Sequence, residues 1–425
     1  MNSLFEDPDD LTGRGSDLEG RTALLKVFSQ AIAGADAYAA VRSAVTRDDD
    51  SLRIGNLFTS TARVREIAFV AVGNAADPMA SAFVKVLGDL VTQGLVIGPG
   101  DGPDNVPFRH RKVEDTYLPS AEGAHAATDA LELASALKEG DVLVPLISPG
   151  ALAMLAQPLP DSSATEMSEV WKRLARASSP ESLAEWVATC SPAQGGGLSL
   201  ATQGAVVEAL VVTRGEDPAI TGGGPATLPI LHRGERVRSI LKEAGVDPAR
   251  IPSSKDLEGS RSSSRSERAK VHVVSITTPT DGLESAGSEA GEHKHTPKLV
   301  PVERELPPEE AAREFVREAE VAFRRPIPPK FYGQAAFAGV TLGAPEGMEH
   351  NELLERFLSE GRKTLRRRDV TLGLLYTGGS RSPRMSRSVG MTDVATEPAL
   401  VGMSPGFTDV GTLAVAWRTP QRARK

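Results

Sequence analysis

The sequence predicts an α/β protein with a Rossmann-like parallel-sheet domain and a second, smaller α/β domain. Three observations indicate this class. Short runs rich in β-branched residues recur along the chain, stretches with the apolar spacing of helices separate them, and glycine or proline follows most of the runs. Because the runs are apolar on both faces, they are typical of parallel strands that helices cover on two sides. The 425 residues suffice for two or three domains of ordinary size.

The first half of the chain alternates between helices and strands. An acidic arm over residues 1–20 precedes a helix, which the apolar spacing between Arg21 and Val45 predicts. The elements that follow come in regular order, as expected for strand–helix–strand units. The predicted strands are Ile67–Val72, Leu95–Ile97, Asp141–Ile147 and Ala205–Val212, and the predicted helices are Met79–Val91, Ala124–Leu137, Thr165–Ala177 and Ser182–Thr189.

The composition changes after Gly245. Residues 253–269 are rich in serine and predict a linker, and residues 281–298 predict an exposed low-complexity insertion. The remaining predicted strands are Val271–Ile276, Ala335–Leu342, Asp369–Tyr376 and Thr412–Trp417, and the predicted helices are Pro308–Phe323 and Asn351–Leu365. We therefore expect four segments: an arm over 1–20, a larger domain over 21–252 that residues 401–425 rejoin, a linker over 253–269, and a smaller domain over 270–400.

Composition excludes several classes of function. The 48 Lys and Arg residues against 56 Asp and Glu residues give a formal net charge of −8, which disfavours direct nucleic-acid binding and attachment to a membrane surface. Cys190 is the single cysteine, so an internal disulfide and a four-thiolate metal site are excluded. The sequence shows neither a signal-like apolar segment nor a bilayer-spanning stretch. We expect a protein of the cytoplasm or an organelle matrix, not a secreted one.

Glycine-rich turns are the strongest sign of a binding site. Five such turns occur near predicted strand ends, where backbone N–H groups can face phosphate oxygens. None is a Walker A loop or a G-x-G-x-x-G motif, and each alone is typical of a tight turn. Metal chemistry is disfavoured, because His293 and His295 fall in the predicted insertion without a third ligand. Residues 109–112, Arg-His-Arg-Lys, predict a solvated basic turn, and Cys190 predicts a buried residue, not a nucleophile.

Several motifs, in order, resemble those of a known family. Gly73-Asn-Ala-Ala-Asp-Pro-Met-Ala80 is similar to G-K-A-x-x-x-M-A, residues 146–153 (LISPGALA) to L-I-S-G-G-G-S-A, and residues 191–198 (SPAQGGGL) to S-x-x-K-G-G-x-L. A further match lies at residues 119–127, and a fainter one lies at residues 404–415. These motifs belong to two-domain glycerate kinases, which transfer the γ-phosphoryl group of ATP to glycerate. The resemblance implies that the smaller domain is similar to the family's C-terminal MOFRL domain.

The departures from the family motifs fall on groups that phosphoryl transfer uses. Asn74 and Gln194 stand where the family has lysines, and Leu152 stands where it has a serine. Transfer depends on cations and metal-holding carboxylates around the phosphates. The sequence therefore predicts a glycerate kinase-like protein with weak or lost catalysis. The alternative is a catalytically inactive family member that acts as a structural or binding subunit of a larger assembly.

The resemblance also assigns candidate site residues. The catalytic candidates, at family-equivalent or adjacent positions, are Asn74, Gln194, Glu216 and Asp217. The cofactor-binding candidates are Ser148, Gly150, Gly195, Gly196, Gly224, Glu352 and Asp409. If the site is active, ATP and Mg²⁺ are its cofactors, glycerate or a similar small hydroxy acid is its substrate, and Lys112, Arg109 or Arg214 replaces the missing charge. If it is inactive, no cofactor is needed and a protein partner is expected.

Overall fold

A computed structural model of the chain shows two compact units. The central unit spans Ala37–Thr277, and the terminal unit combines Met1–Asp36 with Thr278–Lys425. The structure describes residues 5, 7–12, 18–114, 117–158, 163–177, 180–213, 224–226, 234–247, 270–302, 306–340, 342, 350–377, 388–402 and 412–419. The predicted linker over 253–269 lies outside these ranges.

Helices and strands alternate through most of the described chain. The helices are α1 (Pro8–Thr12), α2 (Leu18–Gly34), α3 (Ala37–Ala44), α4 (Ala76–Leu87), α5 (Ala121–Ala136), α6 (Ala151–Met154), α7 (Ala164–Ala177), α8 (Pro180–Cys190), α9 (Gly197–Ala201), α10 (Gly234–Glu243), α11 (Pro279–Glu292), α12 (Pro308–Ala322) and α13 (His350–Thr364). The strands are β1 (Val45–Arg47), β2 (Ser51–Ile54), β3 (Leu57–Ser60), β4 (Ile67–Val72), β5 (Val91–Gly98), β6 (Arg109–Lys112), β7 (Val142–Ile147), β8 (Val206–Val212), β9 (Lys270–Thr277), β10 (His295–Leu299), β11 (Gly333–Val340), β12 (Val370–Tyr376), β13 (Ser388–Asp393), β14 (Ala399–Gly402) and β15 (Thr412–Arg418).

The central unit is built on a parallel sheet of six strands in the order β6-β5-β4-β7-β8-β9. Strands β4 and β7 are buried along their whole length, which explains their continuous apolar sequences. Side chains alternate between two cores, so that Phe69 faces α3 and α4 while Val70 faces α5 and α9. This unit confirms the predicted parallel-sheet domain. A small antiparallel sheet, β1-β2-β3, is also part of the unit.

The terminal unit contains a mixed sheet of six strands in the order β10-β11-β15-β12-β13-β14. Strands β10 and β11 are parallel, and the other neighbours are antiparallel. One face packs against α2 and α11 around Phe28, and the other packs against α12 and α13 around Phe315 and Phe357. This unit confirms the prediction of a second α/β domain.

The domain boundaries predicted from the sequence were wrong at three places. The last strand, β15, does not rejoin the parallel sheet but pairs with β11 and β12 of the terminal unit. The strand β9 pairs with β8, so it extends the parallel sheet of the central unit instead of opening the smaller domain. The helix α2 shares a core with β15 and β12. The reason is the same in each case. An apolar strand or helix face indicates that the face is buried, but it does not indicate which sheet it packs against.

Three local predictions also failed. Residues 281–298 are not an insertion but form most of α11 and β10, and α11 begins with the Asp281 carboxylate accepting a hydrogen bond from the Thr278 N–H at 2.6 Å. His295 is buried and stacks on Trp417 with ring centroids 3.8 Å apart. Residues 109–112 are not a turn but the edge strand β6. Cys190 is buried, as predicted.

Candidate functional site

The turns that follow β4 and β7 are joined at the carboxyl edge of the parallel sheet. Ser148 lies at the end of β7 and is fully buried, and its Oγ accepts a hydrogen bond from the Ala75 N–H at 2.9 Å. The same hydroxyl donates to the Val72 carbonyl at 3.2 Å. The Asn74 N–H donates to the Pro149 carbonyl at 2.8 Å. These bonds lock the two turns together.

Gly73 permits this close approach. Its φ is +114°, and a Cβ at this position would lie 2.3 Å from the Ser148 carbonyl oxygen. The Gly73 N–H donates to the Ile97 carbonyl at 3.1 Å, and the Ala76 N–H donates to the Gly73 carbonyl at 3.2 Å. Four successive N–H groups, from Gly73 to Ala76, thus donate to protein acceptors. In this conformation the turn offers none of those four donors to a phosphate.

Gln194 is directed toward α6. The residue is fully buried, and its Nε2 donates to the Leu152 carbonyl at 3.1 Å and to the Ala151 carbonyl at 3.3 Å. A family lysine at this position would place a cation here, whereas the glutamine places a neutral amide. Gln194 thus ties its own loop to α6 without supplying charge.

The glycines after Gln194 hold a further segment of the chain. Gly195 and Gly196 have φ values of +58° and +81°, which glycine adopts without strain. The Gly196 N–H donates to the Gly224 carbonyl at 2.6 Å, and the Leu198 N–H donates to the Pro225 carbonyl at 3.0 Å. The carbonyls of residues 224 and 225 thus accept hydrogen bonds from two backbone donors at the start of α9.

The candidate residues of the central unit that the structure describes are uncharged. They are Asn74, Ser148, Gly150, Gln194, Gly195, Gly196 and Gly224. Asn74 is 3% exposed, and its Oδ1 is buried without a hydrogen-bond partner among the described residues. These side chains alone cannot neutralise a phosphate. The described part of this edge therefore fits the triphosphate of ATP poorly.

Two of the three cations named from the sequence as replacements form ion pairs with nearby carboxylates. Arg109 forms an ion pair with Asp129 of α5 at 2.7 Å. Lys112 Nζ lies 2.7 Å from Asp101 Oδ1, and the hydrogen bond from Asp101 raises the pKa of Lys112. Arg214 lies outside the described residues. Arg109 and Lys112 are thus paired with carboxylates in this conformation.

The remaining candidates lie outside the described residues or in the terminal unit. Glu216, Asp217 and Asp409 lie outside the described residues. Glu352 is an exposed residue of α13 in the terminal unit and accepts a hydrogen bond from Arg356 Nη2 at 2.6 Å. Within the described ranges, no three His, Cys, Asp or Glu side chains are grouped so that they could hold a metal ion. The same ranges contain no helix that is long and apolar enough to cross a membrane.

Sequence reasoning missed Asp77, an acidic residue of this edge. It is the second residue of α4, it is 8% exposed, and its Oδ1 lies 3.9 Å from His110 Nε2. Burial raises the pKa of Asp77, although His110 and the Gly102 N–H oppose that effect. The signal in the sequence was an acidic residue directly after a glycine turn. It stands at the start of a helix, a place where the helix dipole favours negative charge from a side chain or from a ligand.

Fold and site together define an α/β protein of the open parallel-sheet class, with glycine-rich turns joined at the carboxyl edge of the sheet. The family model described as "Domain of unknown function (DUF4147)" matches residues 23–255, more than half of the chain, and the chain belongs to this family.

Curated relatives of the chain are glycerate kinases. The Danio rerio glycerate kinase is 28% identical over 294 residues, a match that covers 63% of this chain and 58% of that protein. The Bos taurus glycerate kinase is 26% identical over 226 residues, covering 49% of this chain and 43% of that protein. The matches thus span about half the length of these relatives.

Solved structures agree with this relationship at the level of the fold. A glycerate kinase from Thermotoga maritima has a TM-score of 0.70 and 18% identity, with 93% of this chain and 99% of that chain covered. A protein from Pyrococcus horikoshii has a TM-score of 0.68 and 17% identity, with 94% and 98% covered. The chain is thus similar to glycerate kinases in part of its sequence and shares the fold of these two solved structures.

Proposed function

We propose that this chain is a glycerate kinase-family protein in which phosphoryl transfer from ATP to glycerate is greatly weakened or lost. The observation that carries the proposal is the β4–α4 turn. Asn74 replaces the family's lysine there, and the four N–H groups from Gly73 to Ala76 all donate within the protein. Gln194, in place of a second lysine, is fully buried and donates to α6. The proposal includes a MOFRL-like role for the terminal unit.

The expected loss of rate follows from the charges. Removing one preorganised donor from a transition state lowers the rate by about 10²–10³ in well-studied enzymes. Asn74 and Gln194 are two such changes, and the effects of groups acting together do not add simply. We therefore expect turnover far below the roughly 1–100 s⁻¹ of active kinases. Any remaining activity would use ATP with Mg²⁺ as cofactor and glycerate or a similar small hydroxy acid as substrate.

A second function, as an inactive structural or binding subunit, is favoured by one observation. The hydrogen bonds that join the β4 and β7 turns are made by Ser148 and backbone groups, so the edge holds its shape without a charged side chain. A structural subunit needs this edge only to keep its conformation, and these hydrogen bonds are sufficient for that. In this function the partner is another protein of a larger assembly.

Ligand binding and turnover separate these functions. The melting temperature is measured with millimolar Mg²⁺-ATP, glycerate, and both, and ADP release is followed in parallel. A ligand present at about 100 times its Kd stabilises a protein by roughly 2.7 kcal/mol, which shifts the transition by several degrees. We expect little shift with ATP and little ADP release. Turnover at ordinary kinase rates would overturn the proposal, and a glycerate shift without turnover would support ligand binding alone.

Restoring the two lysines tests the cause of the loss. The variant Asn74→Lys/Gln194→Lys is expected to raise ADP release at least about tenfold if missing charge is the main deficit. Gln203→Lys, an exposed position just before β8, is the matched control and should leave ADP release unchanged. The melting temperature of each variant shows that it is folded. A folded double variant with unchanged ADP release would show that the deficit lies elsewhere in the site.

A further inference from the structure

The strand β9 lies at one end of the parallel sheet of the central unit. It pairs with β8 on one side, and no strand of the described chain pairs with its other side. Its sequence, Lys-Val-His-Val-Val-Ser-Ile-Thr, contains four β-branched apolar residues that are only half-buried. They are Val271, Val273, Val274 and Ile276. A long apolar strand is therefore left with an open edge.

The other edges of the two large sheets carry features that prevent strand pairing. Natural edge strands are often short, charged or interrupted by proline, because unpaired backbone groups attract further strands. The edge strand β6 has four residues, of which three carry a permanent charge, and β14 also has four residues. The edge strand β10 has Pro297 at its centre. In contrast, β9 has eight residues, no proline and a single permanent charge at its first residue, Lys270. Of these four edges, only β9 lacks such a feature.

The hydrogen-bond pattern indicates which residues of β9 point outward. The Val206 N–H donates to the Asp141 carbonyl at 3.0 Å, so the backbone groups of Val206 point toward β7. Successive residues of a strand point these groups to opposite sides, so the odd-numbered residues of β8 point toward β9. In the parallel register Ala209 lies opposite Val273, and it therefore bonds to the two even-numbered neighbours of Val273. Before the register shift near the end of β9, its outward-pointing residues are Val271, Val273 and Ser275.

Contacts with the rest of the central unit hold β9 in place. His272 Nδ1 lies 2.8 Å from Oε2 of the fully buried Glu208, and the other oxygen of that carboxylate accepts a hydrogen bond from the Asn56 N–H at 2.7 Å. The Thr213 N–H donates to the Thr277 carbonyl at 3.0 Å. The open edge is thus formed before any partner binds, which lowers the entropy that association would cost.

We propose that β9 pairs with β9 of a second copy of this chain, antiparallel about a two-fold axis at Val273, so that the parallel sheets of the two copies become one continuous sheet. Two-fold symmetry is the commonest symmetry of homo-oligomers, and it places a strand antiparallel to its own copy. Val273 would exchange hydrogen bonds with its own copy, and Val271 with Ser275 of the partner subunit, which gives about six bonds in all. This inference goes beyond the proposed function and does not depend on it.

The sequence of β9 is complementary to itself in this register. Ile276 would lie opposite Lys270, and Val274 would lie opposite His272, so that no charged side chain faces one of like charge. A shift of one residue would bring backbone groups that point toward β8 opposite groups that point outward, which breaks the ladder. The partner that fits this edge is therefore a second β9.

Sedimentation of the full chain tests the pairing. A single pair of edge strands is a small interface, so we expect a reversible dimer that is populated at about 100 μM protein and dissociates on dilution. Val273→Pro removes an outward N–H that β8 does not use, and an edge strand tolerates proline at such a position. This variant should dimerise at least about tenfold more weakly, because a hydrogen bond is lost on each side of the two-fold axis. Val273→Thr keeps the β-branched shape and the N–H, and as the matched control it should dimerise like the wild type.

Hydrogen exchange of the wild type locates the contact. The outward amides of Val271, Val273 and Ser275 should be protected at high protein concentration and should exchange at least about tenfold faster after dilution. The amides of His272 and Val274 point toward β8 and are the internal control, which should not respond to dilution. This measurement needs no variant, so it decides the proposal even if the proline variant fails to fold.

Three results would overturn the proposal. The first is a wild-type chain that stays monomeric at about 100 μM, which would mean that no second copy covers the edge. The second is a Val273→Pro variant, folded by melting temperature, that dimerises as strongly as the wild type, which would place the dimer contact on another surface. The third is exchange of the outward amides that does not depend on protein concentration.

Discussion

The buried ion pair between Arg21 and Asp393 gives the most quantitative prediction for the terminal unit. Arg21 lies in α2 and has no solvent exposure. Its Nη2 donates to Asp393 Oδ2 at 2.7 Å and to Thr396 Oγ1 at 2.5 Å, and its Nη1 donates to the Leu11 carbonyl at 3.0 Å. The guanidinium thus joins α1, α2 and the chain after β13, which are distant in sequence.

Replacing one member of this pair should be costly. Arg21→Met keeps much of the apolar volume but leaves Asp393 buried, with two backbone N–H donors on its Oδ1. Removing one partner of a buried ion pair typically destabilises a protein by about 3–5 kcal/mol. We expect the opening free energy of the terminal unit to fall by about that amount. The double variant Arg21→Met/Asp393→Asn should lose about 1–3 kcal/mol less than the sum of the single variants.

The same pair predicts a dependence on pH. Burial raises the pKa of Asp393, but hydrogen bonds from Arg21, the Ala395 N–H and Thr396 outweigh it, and the pKa lies below its ordinary value. Its stabilising contribution is therefore present above the unfolded value of about 3.9 and is lost as the pH falls through the lower folded pKa. In Arg21→Met this acid-dependent loss should be smaller, because the principal stabilising donor is absent.

Hydrogen exchange of peptides from α2 and β13 measures these changes. Peptides from β4 in the central unit serve as an internal control. A fall of less than about 1 kcal/mol in the opening free energy for Arg21→Met would refute the reasoning. So would strict additivity of the two single variants, because it would mean that the two charges do not interact.

Two further predictions concern single positions of the chain. Gly73→Ala should destabilise the central unit by at least about 1–3 kcal/mol, because Gly73 has a φ of +114° and the added Cβ would clash with Ser148. Gly291→Ala, near the end of α11, is the control: its Cβ meets no atom within 4 Å, so it should be neutral or slightly stabilising. Denaturant unfolding of both variants measures the two changes in stability. Glu208→Ala should expose the β2–β3 hairpin to hydrogen exchange and lower stability by about 1–3 kcal/mol, because it leaves the Asn56 N–H, which donates to this buried carboxylate at 2.7 Å, without its acceptor and removes the contact with His272 at 2.8 Å. The half-exposed His272→Ala should cost less, and equal exchange in both variants would contradict this account.

The strands of the parallel sheet could be predicted from sequence because burial on two faces leaves a continuous apolar run. Ile67–Val72 has the predicted bounds in the structure, and Asp141–Ile147 differs by one residue. The strand Thr412–Trp417 was also predicted, but the sheet to which it belongs was not. Leu413 and Val415 face the core with α2, while Ala414 and Ala416 face the core with α12, and only tertiary contacts decide that assignment.

Helices and strands with polar sequences were predicted less accurately than those with apolar sequences. Residues 281–298 contain few large apolar side chains, yet Ala286 and Ala290 are fully buried against α2. Small residues satisfy a close helix contact without a strong apolar pattern. The Thr278 and Asp281 pair at the start of α11 was a usable signal, since this spacing is typical of a helix N-terminus.

The sequence predicted which turns form the candidate site, but not which charged groups are available there for a reaction. The sequence located the turns at Gly73 and Ser148, which the structure joins through the Ser148 hydroxyl. It also suggested Arg109 and Lys112 as replacement cations, but a sequence does not show that Asp129 and Asp101 lie opposite them. Charge pairing across elements is the information that one sequence lacks.

The motifs that relate this chain to glycerate kinases are therefore weak evidence of kinase activity. Gly73 is required by its positive φ and by contact with the Ser148 carbonyl, and Ser148 is required to join two strand ends. Both needs persist in a protein that transfers no phosphoryl group. The family motifs that this chain resembles have lysines in place of Asn74 and Gln194, and the described contacts of Gly73 and Ser148 require no charge at either position. Fold and reaction therefore make separate demands on this edge, and under the proposed function the fold is retained while the reaction is weakened or lost.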